Sequence, residues 1–342
     1  MKRVRILIVD DSAFARKVVR EIVQSERTEV VGAARDGHEA LALAASLNPD
    51  LIICDLAMPG LDGIEFIRRQ MAARPVPILI LSSAAQDAAE VFTALNSGAV
   101  DVVHKPSGLA NDLLRDVKVD LMEKIMLIMR IAPEKQAPVS TIAASPERIA
   151  FERRIDLVAI GISTGGPQAL RRLIPLFPRS FPAPIAIVLH MPVGYTAMYA
   201  EQLNEICALE VKEAAEGDVL EPGMVLLAQA GRHLTVQRTG TGSVISRLSV
   251  QPINKLHRPS VDVLFRSVAE TFGARALGVV MTGMGDDGKE GAGCIKASGG
   301  TVITEAEQSC VIYGMPRSVV EARLSDSAVP LDQMAETIIN FA

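Results

Sequence analysis

The chain has 342 residues, a hydrophobic fraction of 49% and a formal net charge of −5. This length predicts two domains with ordinary apolar cores, and the acidic balance without a Lys/Arg block argues against nucleic-acid binding. The four cysteines, Cys54, Cys207, Cys294 and Cys310, form no C-x-x-C pair and read as free thiols of a reducing compartment. There is no N-terminal apolar leader and no apolar run of bilayer length, so the expectation is a cytoplasmic protein without membrane insertion. A monomer is expected as well.

The first part alternates strand and helix. Val4–Val9 is an apolar run ending at Asp10 and Asp11. Phe14, Val18 and Ile22, with Val19 and Val23 beside them, predict an amphipathic helix. A short strand at Val30-Val31, a helix over Gly37–Leu47 and a buried strand Leu51–Cys54 ending at Asp55 follow. After the Pro59-Gly60 turn come a helix around Ile64–Met71, a strand Ile78–Leu81, a helix Gln86–Asn96 and a strand Val100–Val103 ending at Lys105-Pro106. A further helix is expected from about Ala110 to Met129. Five such units predict a (βα)5 domain, a parallel sheet wrapped on both faces, over residues 1–125.

Residues 131–152 alternate Ala, Pro, Ser and charged residues without apolar periodicity, and residues 126–152 are taken as a linker. Residues 153–342 form the second domain. Its strand Asp156–Ile160, helix near Gln168–Leu176, strand Ile185–Leu189 and helix Tyr195–Cys207 are again doubly wound α/β. Residues 211–250, with alternating Val, Leu and Thr and turns at Glu221-Pro222-Gly223 and Thr239–Gly242, predict an antiparallel hairpin insertion. Helix Ser260–Phe272, strand Ala276–Met281, helix Gly288–Ala297 and strand Thr301–Thr304 resume the pattern, and a last helix ends near Phe341.

Asp10, Asp11 and Asp55 fall at the C-terminal ends of strands, which converge on one crevice in an open parallel sheet. Three neighbouring carboxylates need a cation, and an oxygen-rich site suits Mg²⁺. Ser82 and Lys105 end two further strands, so a hydroxyl and an ammonium join the same edge. Together these groups can hold a phosphoryl group on one carboxylate. With Asp10-Asp11-Ser12, Asp55, Met58–Gly63, Ser82 and Lys105-Pro106, the first part resembles the receiver domains of response regulators, which are flavodoxin-like. The resemblance implies that Asp55 is the phosphoacceptor, that Asp10, Asp11 and Asp55 hold Mg²⁺, and that Ser82 and Lys105 sense the phosphoryl group. It also implies a cis peptide at Lys105-Pro106. The aromatic that receivers usually carry three residues before the lysine is replaced here by Val102.

In the second part, Ser163 lies in Gly161-Ile162-Ser163-Thr164-Gly165-Gly166-Pro167, directly after an apolar strand. This turn reads three ways: a G-x-S-x-G nucleophile turn, a helix cap by Ser163 or Thr164, or a Gly-rich phosphate loop. The spacing is not G-x-G-x-x-G, and the next strand ends in His190 rather than an acid. His233 falls in the hairpin region, and His257, before a helix, is placed to line a substrate groove. An acid comes from Asp286-Asp287 in the glycine-rich turn after strand Ala276–Met281. Such a turn aims backbone N–H groups into a site, which suits oxyanion stabilisation. The order Ser, His, Asp differs from the Ser, Asp, His of α/β-hydrolases.

With Gly161–Pro167, His190-Met191-Pro192, Pro259–Phe265, Thr282–Gly288 and Tyr313–Pro316, this part resembles the catalytic domain of the CheB methylesterases. The resemblance implies a protein-glutamate methylesterase and glutaminase that uses no cofactor at its esterase site. It implies Ser163 as nucleophile, His190 as general base, Asp287 as its orienting acid and the Met284 N–H as oxyanion donor. The substrate would be a methyl-accepting chemoreceptor and the phosphodonor a CheA-type histidine kinase. Phosphorylation of Asp55 would release a receiver that covers the Ser163 crevice. Other readings are a binding module behind a receiver and a nucleotide-dependent oxidoreductase. No basic recognition helix supports a DNA-binding output.

Overall fold

The computed structural model describes residues 3–82, 88–105, 118, 121–126, 128 and 155–342. They separate into two compact units, residues 1–134 and 135–342. In the first unit the elements are β1 (Val4–Val9), α1 (Ala13–Val23), β2 (Thr28–Ala34), α2 (Gly37–Leu47), β3 (Leu51–Cys54), α3 (Gly63–Ala73), β4 (Ile78–Ser82), α4 (Ala88–Asn96) and β5 (Asp101–His104). The strands form one parallel sheet in the order β2-β1-β3-β4-β5. Ile6–Ile8, Leu51–Ile53 and Ile78–Leu81 are buried throughout, as strands covered by helices on both faces must be. The strand order reverses between β1 and β3, so a crevice opens at their C-terminal ends.

Local sequence chemistry starts the helices. Ser12, Asp36 and Asp62 cap α1, α2 and α3, each accepting a hydrogen bond from a backbone N–H three residues on. In α1 the buried stripe is Val19 and Val23, whereas Phe14 is exposed. Strand β2 is longer than the expected Val30-Val31 because its backbone pairs along the whole of β1. Residues 118, 121–126 and 128 are helical. The rest of the helix expected over 110–129, and almost all of the expected linker, lie outside the described residues, as do Gln86 and Pro106.

The second unit contains β6 (Leu157–Ile162), α5 (Gly166–Leu173), β7 (Ile185–Leu189), α6 (Thr196–Asn204), β8 (Glu210–Glu213), β9 (Met224–Leu227), β10 (His233–Arg238), β11 (Val244–Ser249), α7 (Val261–Phe272), β12 (Ala276–Val280), α8 (Lys289–Ala297), β13 (Thr301–Glu305), α9 (Met315–Glu321), β14 (Ser327–Val329) and α10 (Leu331–Phe341). Seven strands make a parallel sheet in the order β14-β13-β12-β6-β7-β9-β8. The switch point is β6, flanked by β12 and β7.

The expected insertion over 211–250 divides in two. β10 and β11 are the antiparallel hairpin. β8 and β9, by contrast, pair parallel with each other and extend the main sheet. The chain between them runs alongside β11, with Leu220 N–H donating to Val244 C=O and Ser246 N–H to Asp218 C=O. Alternating apolar residues specify a strand but not the direction of its partner, so the Pro-Gly turn suggested a hairpin that tertiary pairing does not form.

Candidate functional site

In the first unit the side chains at the sheet edge converge. Lys105 Nζ lies 2.8 Å from Asp10 Oδ2 and 2.8 Å from Asp55 Oδ2. Asp10 and Asp55 are buried, and Asp11 is exposed beside them. One ligand atom from each of Asp10, Asp11 and Asp55 lies within 4.8 Å of the others, a spacing that one cation can span. Asp10 Oδ1 accepts from Ser12 N–H and Asp55 Oδ1 from Leu56 N–H, which fixes both carboxylates. Burial pushes the Asp55 carboxyl above the usual carboxylate range, against the pull of Lys105 and with the help of Asp10's charge. Burial alone would lower Lys105, but its bonds to Asp10 and Asp55 raise it overall. Ser82 is buried at the end of β4, and its C=O accepts from Lys105 N–H at 2.5 Å. Val102 is buried in β5, four per cent exposed.

In the second unit Ser163, His190 and Asp287 sit at the ends of adjacent strands. Ser163 follows β6, with its N–H donating to Thr282 C=O beyond β12. His190 follows β7, with its N–H donating to Ile162 C=O. His190 Nε2 donates to Asp287 Oδ2 at 3.0 Å. The other ring nitrogen, Nδ1, is buried and has no hydrogen-bond partner among the described residues. With the proton on Nε2, Nδ1 carries the basic lone pair.

Asp287 is held by more than histidine. Its Oδ1 accepts from Ser260 Oγ (2.8 Å) and Asp262 N–H (3.0 Å), and its Oδ2 also accepts from Val261 N–H (2.8 Å). The carboxylate therefore sits on the N-terminus of α7. Asp262, in the first turn of that helix, returns the arrangement: its Oδ1 accepts from Gly288 and Gly291 N–H at the start of α8. Each helix is thus capped by an acid from the other's first turn or entry. Burial would raise the Asp287 carboxyl, but His190 and the Asp262 and Val261 N–H groups outweigh it and hold it well below the usual range. Asp286 points away, exposed and ion-paired with Lys289.

The turn after β6 does not use Ser163 or Thr164 as a helix cap. The cap residue of α5 is Gly165, with φ 79°, and no side chain caps that helix. Ser163 Oγ makes no hydrogen bond to the described residues. The Met284 N–H likewise donates to none of them. Gly283 lies against Ser163, and a Cβ there would stand 2.7 Å from Ser163 Cβ and run into Met315 Sδ. Gly283→Ala is therefore expected to push Ser163 out of line and lower kcat by up to about 10²-fold with little change in KM, read from steady-state kinetics of the purified variant.

Some contacts of the site are not evident from sequence. His257, expected near a groove, stacks on the His190 ring with centroids 4.1 Å apart. Ser260 carries an N-cap signature, yet its hydroxyl serves Asp287 rather than α7. Glu305, buried at the end of β13, accepts from Thr282 N–H and steadies the turn beside Ser163. The Ser-x-Asp pattern at 260–262 announces a helix start, but nothing in it says which carboxylate it meets.

Residues 158–338 match the family model of the CheB methylesterase, and residues 6–145 match that of the response regulator receiver domain. A protein-glutamate methylesterase/protein-glutamine glutaminase from Myxococcus xanthus is 47% identical over 97% of this chain and 96% of its own. One from Halalkalibacterium halodurans is 42% identical over 98% of each chain. The crystal structure of the Thermotoga maritima CheB methylesterase catalytic domain superposes with a TM-score of 0.54 at 39% identity, covering 55% of this chain and 99% of that one. With both halves matched in order and relatives aligned nearly end to end, the chain belongs to the CheB methylesterase family and carries a response regulator receiver domain ahead of its esterase domain.

Proposed function

We propose that this chain is a phosphorylation-controlled serine hydrolase that demethylates glutamyl methyl esters, and deamidates glutamines, on methyl-accepting chemoreceptors. The observation that carries the reading is the His190 ring, with Nε2 tied to Asp287 and Nδ1 buried without a partner among the described residues, next to the strand end that bears Ser163. His190 Nδ1 takes the Ser163 Oγ proton as Oγ attacks the ester carbonyl carbon. The Met284 N–H stabilises the resulting oxyanion. The tetrahedral intermediate collapses, the proton on Nδ1 passes to the departing methoxide, and methanol leaves an acyl-enzyme. Water gives its proton to Nδ1 and attacks the acyl carbon, and Ser163 Oγ recovers a proton as glutamate is released. A glutamine amide follows the same course with ammonia as leaving group.

Exposed apolar side chains flank this crevice. Val193, just after His190, is 70% exposed, and Ile253 and Leu256, before His257, are 66% and 90% exposed. Such a rim suits a protein segment better than a free metabolite. The test is methanol release from methyl-labelled receptor membranes and its dependence on Ser163.

In the receiver, residues 1–125, Asp55 is the phosphoacceptor and a CheA-type histidine kinase the donor; residues 126–152 link it to the esterase domain, 153–342. The oxygen donors of Asp10, Asp11 and Asp55 fit Mg²⁺, which neutralises phosphoryl charge when bound. Lys105, already on Asp10 and Asp55, pairs with the phosphoryl oxygens, and Ser82 offers its hydroxyl. Phosphorylation relieves restraint of the esterase by the receiver. Asp55→Asn is expected to abolish labelling by a small phosphodonor such as acetyl phosphate, as chelation of Mg²⁺ does in the unaltered chain. Basal methanol release is expected to stay and its stimulation to vanish; phosphate-affinity electrophoresis beside the methanol assay checks both.

A further inference from the structure

His233, the first residue of β10, is fully buried, although the hairpin it begins is otherwise half exposed. Its ring holds both ends of the loop that carries Lys255, His257 and Arg258. Nδ1 accepts from Ser260 N–H at 3.2 Å, and Nε2 donates to Pro252 C=O at 3.1 Å. These partners fix the tautomer: a backbone N–H needs an acceptor and a carbonyl needs a donor, so the ring is neutral with its proton on Nε2. Ser260 is also the residue whose hydroxyl donates to Asp287 Oδ1, and the next two N–H groups of the chain donate to the same carboxylate. The ring thus sits one residue from the groups that position Asp287, and Asp287 positions His190.

We propose that His233 is a positioning residue for the esterase reaction, its neutral Nδ1 anchoring Ser260 so that Asp287 is held against His190. The inference rests on the proposed Ser163–His190–Asp287 chemistry. A proton on Nδ1 would set a donor against the Ser260 N–H and release that anchor. The charged groups around the ring are Arg258 and Lys255 of the loop and Asp287 from the turn after β12. Burial holds His233 below the ordinary histidine range; Arg258 and Lys255 add to this, and Pro252 C=O and Asp287 oppose it. His233 is therefore neutral at neutral pH, and its protonation adds to the fall in activity on acidification.

The test uses the full chain and the variants His233→Asn, His233→Gln and His233→Ala. An asparagine Oδ1 can stand where Nδ1 stands and accept from Ser260, whereas a glutamine amide reaches Pro252 but leaves Ser260 without an acceptor. The Gln and Ala variants are expected to lose up to about 10²-fold in kcat for methanol release with KM nearly unchanged, and the Asn variant to recover most of it. The Asn variant should also lose the His233 component of the acid limb of its pH profile. The low-field NMR resonance of the His190 Nε2 proton on Asp287 should persist in the Asn variant and broaden or disappear in the other two. That resonance needs no substrate, so it decides the inference even if the unaltered chain releases no more methanol than Ser163→Ala. Equal kcat in all four proteins, or equal losses in all three variants with the resonance unchanged, would overturn the proposal.

Discussion

Ser163→Ala is expected to reduce methanol release by roughly 10⁴–10⁶-fold, because in the proposed mechanism the Ser163 nucleophile acts as one unit with its base. The fold should not notice the change. Ser163 Oγ makes no hydrogen bond to the described residues, and α5 is capped without it, so its removal strands no buried partner. The thermal midpoint is therefore expected to stay within a degree or so of the unaltered chain, on the scale at which about 1 kcal/mol moves a domain by a few degrees. Calorimetry on the same preparation used for the methanol assay separates lost chemistry from lost structure. Release that survives the substitution would remove Ser163 from the mechanism. No release from the unaltered chain, with or without phosphodonor, would favour a domain that binds its partner without turning it over.

The strand ends that carry the candidate residues were legible. An apolar run followed by Asp55, His190 or Ser163 announces both the strand and the edge at which its last residue emerges, because a parallel sheet gathers those ends at its switch point. What escaped is what pairs through the backbone or across long separations. The parallel pairing of β8 with β9 is set by neighbours and not by their own alternation. β14, only three residues long, is carried by its bonds to β13 and has no pattern of its own. His233 looks like any polar residue in a hairpin, since its partners are a carbonyl and an N–H that no side-chain motif reports. Asp286 and Asp287 are the same residue type side by side; only the resemblance singles out Asp287, and the turn faces it to His190 and Asp286 to Lys289.

The role of Asp287 can be separated from its charge by Asp287→Asn, for which a fall in kcat of about 10⁴-fold is expected, the size of effect that follows when a triad histidine is left in the wrong tautomer. The present site accepts four hydrogen bonds on one carboxylate. An amide can accept on only one side. If its NH₂ takes the Oδ2 place, it opposes the Val261 N–H, and His190 can meet it only by accepting at Nε2, which moves the ring proton to Nδ1 and removes the base. If its NH₂ takes the Oδ1 place, it opposes the Asp262 N–H, and the imidazolium formed in the reaction loses its counter-charge. Either arrangement also weakens the start of α7, at a cost of about 1–3 kcal/mol for a buried donor left without an acceptor. The pH dependence gives an independent signature. The native carboxylate titrates below its unfolded value of about 3.9, so its stabilising contribution is complete above that pH and is lost as pH falls toward the lower folded value. The thermal midpoint of the unaltered chain should fall through this acid range. That of Asp287→Asn should start lower at neutral pH and fall less steeply, lacking this group's share of the slope. Parallel acid slopes in the two proteins would mean that the carboxylate is not held as an anion by α7 and His190.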